Sequence, residues 1–113
     1  MIESPVRNGA LKGLKIIDLT MMLAGPFATM LLGDQGATII KVEPVKSGDL
    51  TRTLNLPKGD MPYGAYYQSI NRNKLSIALD LKSETGKDVL RRLVKDADVL
   101  VENYRVGVME RLG

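Results

Sequence analysis

Short apolar runs separated by polar or glycine-containing segments set the pattern of this chain. The runs are three to six residues long and rich in Val, Ile and Leu, which is typical of strands that are buried on both faces. They predict four strands, at residues 14–19, 37–42, 75–79 and 99–101.

A helix is predicted between the first two strands. Pro26 suits its first turn, where the missing N–H leaves no bond unmade, and Gly33 or Gly36 suits its end, because glycine accepts a left-handed cap. Strand, helix and strand then form a βαβ unit with a right-handed crossover. The residues expected to face inward are Ala24, Phe27, Met30 and Leu31.

The remaining segments are predicted to be an arm, a loop and three further helices. Residues 1–10 form the N-terminal arm, and the proline-containing residues 43–62 form a long loop. Helices are expected over residues 63–70, after the N-cap Ser83, and over residues 108–112. The helix after Ser83 carries the apolar stripe Val89, Leu90, Leu93, Val94 and Ala97. This alternation predicts an α/β fold with a mainly parallel sheet and flanking helices.

The composition narrows the class of function. The 113 residues are 44% hydrophobic and 26% charged, which is typical of one folded domain. A net charge of +3 suits an anionic small molecule and is too low to favour nucleic acid. The absence of Cys and His removes the thiol nucleophile, the imidazole base and the usual zinc ligands. We therefore expect a cytoplasmic protein with no metal, no nucleic-acid partner and no membrane span.

Candidate binding residues collect where the predicted strands end. Open α/β sheets bind ligands at the carboxyl ends of their strands, and this edge carries Lys82 and Arg105. A helix N-terminus beside two cations would bind phosphate, whereas the alternative is that both are solvated surface charges. The turn after the first strand has one glycine, Gly25, and the chain has no Walker lysine pattern, which disfavours a nicotinamide or ATP site.

The aspartate at the end of the first strand has two interpretations. Asp18 could be a catalytic carboxylate whose pKa is shifted by burial. Alternatively, it accepts backbone N–H bonds and shapes the turn, which is the commoner role of an aspartate at a strand end. We favour the second interpretation.

Several longer motifs occur together in this chain. They are LKGLKIIDLT at residues 11–20, AGPFATMLLGDQGA at 24–37, IKVEP at 40–44, GDLTR at 48–52, NRNK at 71–74, LDLK at 79–82, ADVLVENYRVG at 97–107 and RLG at 111–113. In this order they resemble the opening of the family III CoA-transferases, the CaiB/BaiF or formyl-CoA transferase-like enzymes. The resemblance implies that residues 11–113 form a Rossmann-like region that binds coenzyme A (CoA). The enzyme would move CoA from an acyl-CoA to a carboxylic acid through an aspartyl-CoA intermediate.

The resemblance also implies which positions contact CoA. They are Met22, Leu23, Ala24, Leu79, Lys82, Asn103, Arg105, Arg111 and Leu112. The first three would form a wall for CoA, and Leu79 and Lys82 would contact its adenosine and phosphate end. The expected partners are a CoA thioester, a carboxylic acid and a second subunit, because full-length relatives form interlocked homodimers.

Two positions depart from the pattern of the family. Pro44 stands where some relatives carry an arginine that faces the adenine, and Leu23 stands where some carry a glutamine that positions acyl intermediates. The resemblance places the nucleophilic aspartate beyond Gly113, and Asp18 is not its equivalent. The 113 residues are therefore expected to hold no catalytic residue and to be inactive alone. The alternatives are a racemase of the α-methylacyl-CoA type, a non-catalytic CoA-binding module, and a structural fragment that binds nothing.

Overall fold

The computed structural model describes residues 8–54 and 64–113 of the protein. Its elements are β1 (Lys15–Asp18), α1 (Ala24–Asp34), β2 (Thr38–Glu43), a 3₁₀ turn (Leu50–Arg52), α2 (Ala65–Ile70), β3 (Lys74–Ala78), α3 (Glu84–Lys95), β4 (Val99–Val101) and α4 (Val108–Leu112). The strands are all parallel, in the order β3-β2-β1-β4. The predicted α/β fold and its four strands are confirmed. Residues 1–7 of the predicted arm, residues 55–62 of the predicted loop and Tyr63 lie outside the described residues.

The central strand β1 builds two cores, one on each face of the sheet. Ile16 packs with Ile39 and with Leu32 of α1, whereas Ile17 lies in a second cluster with Val42. Successive residues of a strand point to opposite faces, so one strand serves both layers. Helices therefore cover both faces of the sheet, as in doubly wound folds. Of the predicted stripe, Leu90, Leu93 and Val94 of α3 lie in the second cluster, together with Ala97 just after the end of the helix, whereas Val89 does not.

The inward face of α1 differs from the prediction. Met30 is buried as expected, but Ala24, Phe27 and Leu31 are exposed, the last two by 46% and 42%. Small residues face the sheet instead. A Cβ added to Gly33 would lie 3.1 Å from Ile39 Cγ1, and one added to Gly25 would lie 2.3 Å from Thr20 Cβ. Because α1 approaches the sheet this closely, Phe27 and Leu31 turn outward, and only Met30 and Leu32 among the large apolar residues of the helix pack inward.

The predicted start of α3 is confirmed. Ser83 Oγ accepts a hydrogen bond of 3.0 Å from the backbone N–H of Gly86, which satisfies one of the free donors of the first turn. Glu84 lies in the same turn, where a negative charge suits the helix dipole. None of the described helices is long and apolar enough to cross a bilayer.

Lys74 is a buried cation that ties four elements together. Its Nζ atom donates to Asp18 Oδ2 at 3.0 Å, to the carbonyl oxygen of Pro26 at 2.8 Å and to Asn71 Oδ1 at 3.0 Å. The side chains of Lys74 and Asp18 are only 2% and 0% exposed. Lys74 of β3 thus joins the end of β1, the start of α1 and the residue after α2.

Asp18 shapes the turn after β1, as predicted. Its Oδ1 atom accepts hydrogen bonds from the backbone N–H and the hydroxyl of Thr20, and its Oδ2 atom accepts one from Thr29. Burial alone would raise the pKa of Asp18, but the Lys74 ammonium and the two hydroxyls outweigh burial and lower it. The carboxylate therefore stays ionised inside the protein.

We expect Lys74→Met to lower the free energy of unfolding by about 3–5 kcal/mol, because it leaves the buried Asp18 carboxylate without its cation. Urea unfolding at pH 7 measures this change. The matched control is Arg91→Gln, which breaks an exposed ion pair with Asp88 and should alter stability by less than about 0.5 kcal/mol. If the two variants lose the same free energy of unfolding, the buried ion pair contributes no more than the exposed one, which would contradict the prediction.

Candidate functional site

Two adjoining cavities lie at the carboxyl ends of β2 and β3. The first, the slot, has a volume of about 180 Å³ and contains two charged residues, Glu43 and Lys82. The second, the lysine cavity, has a volume of about 430 Å³ and contains Lys46, Lys82 and Asp80. Pro44, Leu79 and Lys82 line both cavities. The other apolar residues that line the slot are Val42, Leu81, Tyr104, Val108 and Leu112.

The structure brings together three of the nine residues implied by the resemblance. Leu79, Lys82 and Leu112 line the slot, and two of them extend to the lysine cavity. The other six lie in the turn after β1, at the start of α1, after β4 and on α4, and they do not line either cavity; they are Met22, Leu23, Ala24, Asn103, Arg105 and Arg111. The strand-end surface is therefore divided between the cavities and the turn after β1.

The side chain of Asn103 clamps the turn after β1. Its Oδ1 atom accepts a 3.0 Å hydrogen bond from the backbone N–H of Met21, and its Nδ2 atom donates a 2.8 Å bond to the Met21 carbonyl oxygen. The next residue, Met22, has a φ of 72°, a left-handed conformation that costs a non-glycine residue about 1–2 kcal/mol. Met22 and Leu23 are about half exposed. The clamp thus holds a strained turn that presents two apolar side chains.

Glu43 anchors the loop that follows β2. Its carboxylate accepts two bonds of 2.7 Å from the guanidinium of Arg52, one of 2.6 Å from Ser76 and one of 2.7 Å from the backbone N–H of Asp49. Tyr67 hydroxyl adds a contact at 3.2 Å. Burial opposes ionisation of Glu43, yet these donors lower its pKa to about 2. Glu43 is therefore a fixed anion beneath the slot.

Lys41 is a second buried cation, and it differs from the lysines of the cavities. Its Nζ atom lies 2.8 Å from Asp49 Oδ2 and donates to the carbonyl oxygen of Thr20 at 2.8 Å. By contrast, Lys46 and Lys82 are exposed and form no ion pair within the described part of the chain. The buried cation is fully engaged by the protein, whereas the two cavity lysines are available to an anionic ligand.

A third cavity of about 300 Å³ lies between α3 and α4. Its cations are Lys87, Arg91 and Lys95, of which the first two pair with Glu84 and Asp88 one turn earlier in α3. This partial neutralisation suits an anion less well than the lysine cavity does. Among the residues described, no group of three or more Asp or Glu side chains could hold a metal ion.

Sequence reasoning missed Lys46 and the Asn103 clamp. Lys46 lies in the predicted long loop, and nothing in the local pattern of residues distinguishes it from any other exposed lysine. The clamp joins residues 82 positions apart, so local spacing could not reveal it. The resemblance had implied Asn103 as a CoA contact, and its position two residues after a predicted strand was the other signal, but neither indicated the clamp.

Comparison with known proteins gives consistent findings. The model of CoA-transferase family III matches residues 11–113. Acetyl-CoA:oxalate CoA-transferase of Acetobacter aceti is 49% identical over 94% of this chain and 27% of its own length. Succinyl-CoA:glutarate CoA-transferase of Homo sapiens is 50% identical over 91% of this chain and 23% of its own length. The crystal structure of a CAIB/BAIF family protein from Brucella suis matches with a TM-score of 0.87 and 41% identity, over 94% of this chain and 29% of that chain. The chain spans about a quarter of the length of the curated relatives.

The low pKa of Glu43 predicts an acid-sensitive fold. Its folded-state pKa of about 2 lies below the ordinary value of 4.5, so its contribution is present above about pH 4.5 and is lost as the pH falls towards 2. We expect about 3 kcal/mol of unfolding free energy to be lost from this group. Urea unfolding from pH 7 to pH 2 measures it.

Glu43→Gln should have a shallower loss of stability with acid than the unsubstituted chain, although it is less stable at pH 7. Glu84→Gln, which removes an exposed carboxylate, is the matched control and should keep the full acid dependence. Parallel acid curves for Glu43→Gln and the unsubstituted chain would contradict the assignment.

The Asn103 clamp predicts a difference between two substitutions. Asn103→Ala removes both bonds to Met21, whereas Asn103→Asp keeps the acceptor for the Met21 N–H and loses only the donor. Hydrogen exchange of the Met21 amide should accelerate about tenfold in Asn103→Ala, equivalent to about 1.4 kcal/mol, and stay slow in Asn103→Asp. If both variants exchange at the rate of the unsubstituted chain, the clamp does not hold the turn.

Proposed function

Because the chain belongs to CoA-transferase family III, as its motifs predicted, we propose that residues 11–113 form the CoA-binding region of an acyl-CoA:carboxylate CoA-transferase. The observation that carries the proposal is the slot with Lys82 at the carboxyl edge of the sheet. Apolar walls suit the flat adenine base, and the ammonium of Lys82, which forms no ion pair with the described residues, suits a phosphate group. Named relatives that transfer CoA support the same ligand.

Each part of the site has a role in this proposal. Leu79 and Leu112 contact the adenosine from the walls of the slot, and Lys82 pairs with a phosphate. The clamped turn offers Met22 and Leu23 to the apolar remainder of the ligand. The exposed cations Arg105 and Arg111, together with Asn103 and Ala24, complete the surface that the resemblance implies.

Asp18 does not perform the covalent step in this proposal. The step requires an aspartate carboxylate that attacks the thioester carbonyl and forms a mixed anhydride as the CoA thiolate leaves. That thiolate then attacks the aspartyl carbonyl of the anhydride, which releases the donor acid as a carboxylate and leaves an aspartyl thioester. Asp18 is 0% exposed and is engaged by Lys74, Thr20 and Thr29. Asp18 is therefore not the nucleophile in this proposal. The family resemblance implies an aspartate beyond Gly113 in that role, so residues 11–113 are proposed to bind CoA without turning it over.

Calorimetric titration with CoA tests the proposal. We expect saturable binding that weakens with salt, because the phosphates of CoA meet cations. Lys82→Glu should weaken binding about tenfold or more and Arg111→Glu should weaken it less, since Lys82 lines the slot and Arg111 does not. Lys12→Glu reverses an exposed charge before β1 and is the control, with an expected change below about twofold.

The alternatives predict different titrations. A structural region without a ligand gives no saturable heat from the folded chain, and this result would contradict the proposal. If CoA binding is insensitive to Lys82→Glu, CoA remains the ligand, but the slot with Lys82 is not its binding site. A racemase of the same superfamily would bind CoA in the same way, and the names of the relatives favour transfer. Oxalate and glutarate, the acids in those names, are the first acceptors to assay.

A further inference from the structure

Lys46 and Lys82 meet at one cavity although they come from different loops. Lys46 lies three residues after the end of β2, and Lys82 lies four residues after the end of β3. Both line the lysine cavity, and both are exposed. Two cations from separate elements at one concave site form a feature that neither loop could provide alone.

The charge of the lysine cavity is positive. Neither Lys46 nor Lys82 has an ion pair within residues 8–54 and 64–113. The cavity also contains Asp80, but Asp80 Oδ1 already accepts a 3.0 Å hydrogen bond from the backbone N–H of Lys82. Two ammonium groups against one partly engaged carboxylate favour a ligand group with more than one negative charge, such as a phosphate monoester.

The loop that carries Lys46 is held at both ends. The backbone N–H of Gly48 donates to the Pro44 carbonyl oxygen at 2.9 Å, and Gly48 has a φ of 64°. Asp49 is fixed by its backbone bond to Glu43 and by its ion pair with Lys41. The backbone at Lys46 is thus positioned before a ligand arrives, which reduces the ordering that binding requires.

The position of the cavity indicates which phosphate of CoA it would hold. Every residue that lines it follows β2 or β3, and none comes from the turn after β1 or from β4. It adjoins the slot through Pro44, Leu79 and Lys82. In CoA the diphosphate leads from the ribose to the pantetheine arm, whereas the 3′-phosphate branches from the same ribose in another direction. If adenine occupies the slot and the pantetheine arm runs to the turn after β1, the 3′-phosphate is the group that is directed to the lysine cavity.

We propose that Lys46, together with Lys82, binds the 3′-phosphate of CoA, so that the lysine cavity selects CoA over dephospho-CoA. This inference rests on the proposed function, because it takes the adenosine to occupy the slot. Lys46 is then a binding residue that determines specificity for the phosphorylated nucleotide.

Titrations with CoA and with dephospho-CoA, which lacks only the 3′-phosphate, test the inference. The unsubstituted chain should bind CoA about tenfold more tightly than dephospho-CoA. Lys46→Ala should weaken CoA binding about fivefold to tenfold and leave dephospho-CoA binding unchanged. Lys46→Arg keeps the charge and should retain the preference. Lys12→Ala, which removes an exposed charge before β1, should behave as the unsubstituted chain.

The outcomes separate this inference from the proposed function. Tight binding of both nucleotides without preference, or equal weakening of both by Lys46→Ala, would overturn the role of Lys46 and leave CoA binding intact. Binding of neither nucleotide to the folded, unsubstituted chain would overturn the proposed function, and the role of Lys46 would fall with it. Because Lys46 is exposed, its variants should fold, and a circular dichroism spectrum verifies this for each sample.

Discussion

The ammonium group of Lys74 is the constraint on which the candidate site depends. It lies among oxygens from the end of β1, the first turn of α1 and the residue after α2, and water has almost no access to it. An ion pair this deeply buried contributes little net stability compared with an apolar pair. Removing one partner is strongly destabilising, because the other charge is left buried without compensation. The Lys74–Asp18 ion pair therefore acts by fixing one arrangement of the strand ends, and this arrangement sets the position of the turn after β1.

Two groups of charged residues near the strand ends differ in their surroundings. Lys74, Lys41 and Glu43 lie beneath the strand ends, are satisfied by protein groups and set the shape of the loops. Lys46 and Lys82 lie in the loops after β2 and β3, are exposed, and form no ion pair with the residues that the structure describes. In the proposed function, anchoring and binding are thus carried out by different cations.

Sequence periodicity predicted the strands and most helices because the apolar runs are short, β-branched and separated by glycine or proline. It failed on part of α1, because small residues such as Gly25, Thr29 and Gly33 also lie on the inward face, and a search for large apolar side chains overlooks them. It also could not pair Lys74 with Asp18 or Lys46 with Lys82, because these partners meet only through the order of the strands. The motifs implied a CoA site at the carboxyl edge of the sheet, which stays a prediction, whereas the division of that edge into a slot and a lysine cavity required coordinates.

The central position of β1 has a consequence for how the chain folds. One edge of β1 pairs with β2, which follows within about twenty-five residues, but its other edge pairs with β4, and the bond that joins Lys15 to Asp98 spans 83 residues. During synthesis the β3-β2-β1 half can assemble first, leaving an apolar strand with an open row of backbone donors and acceptors. Closing that edge is a slow, long-range step, so the time at which β4 pairs with β1 determines how long the open edge of β1 is exposed to aggregation.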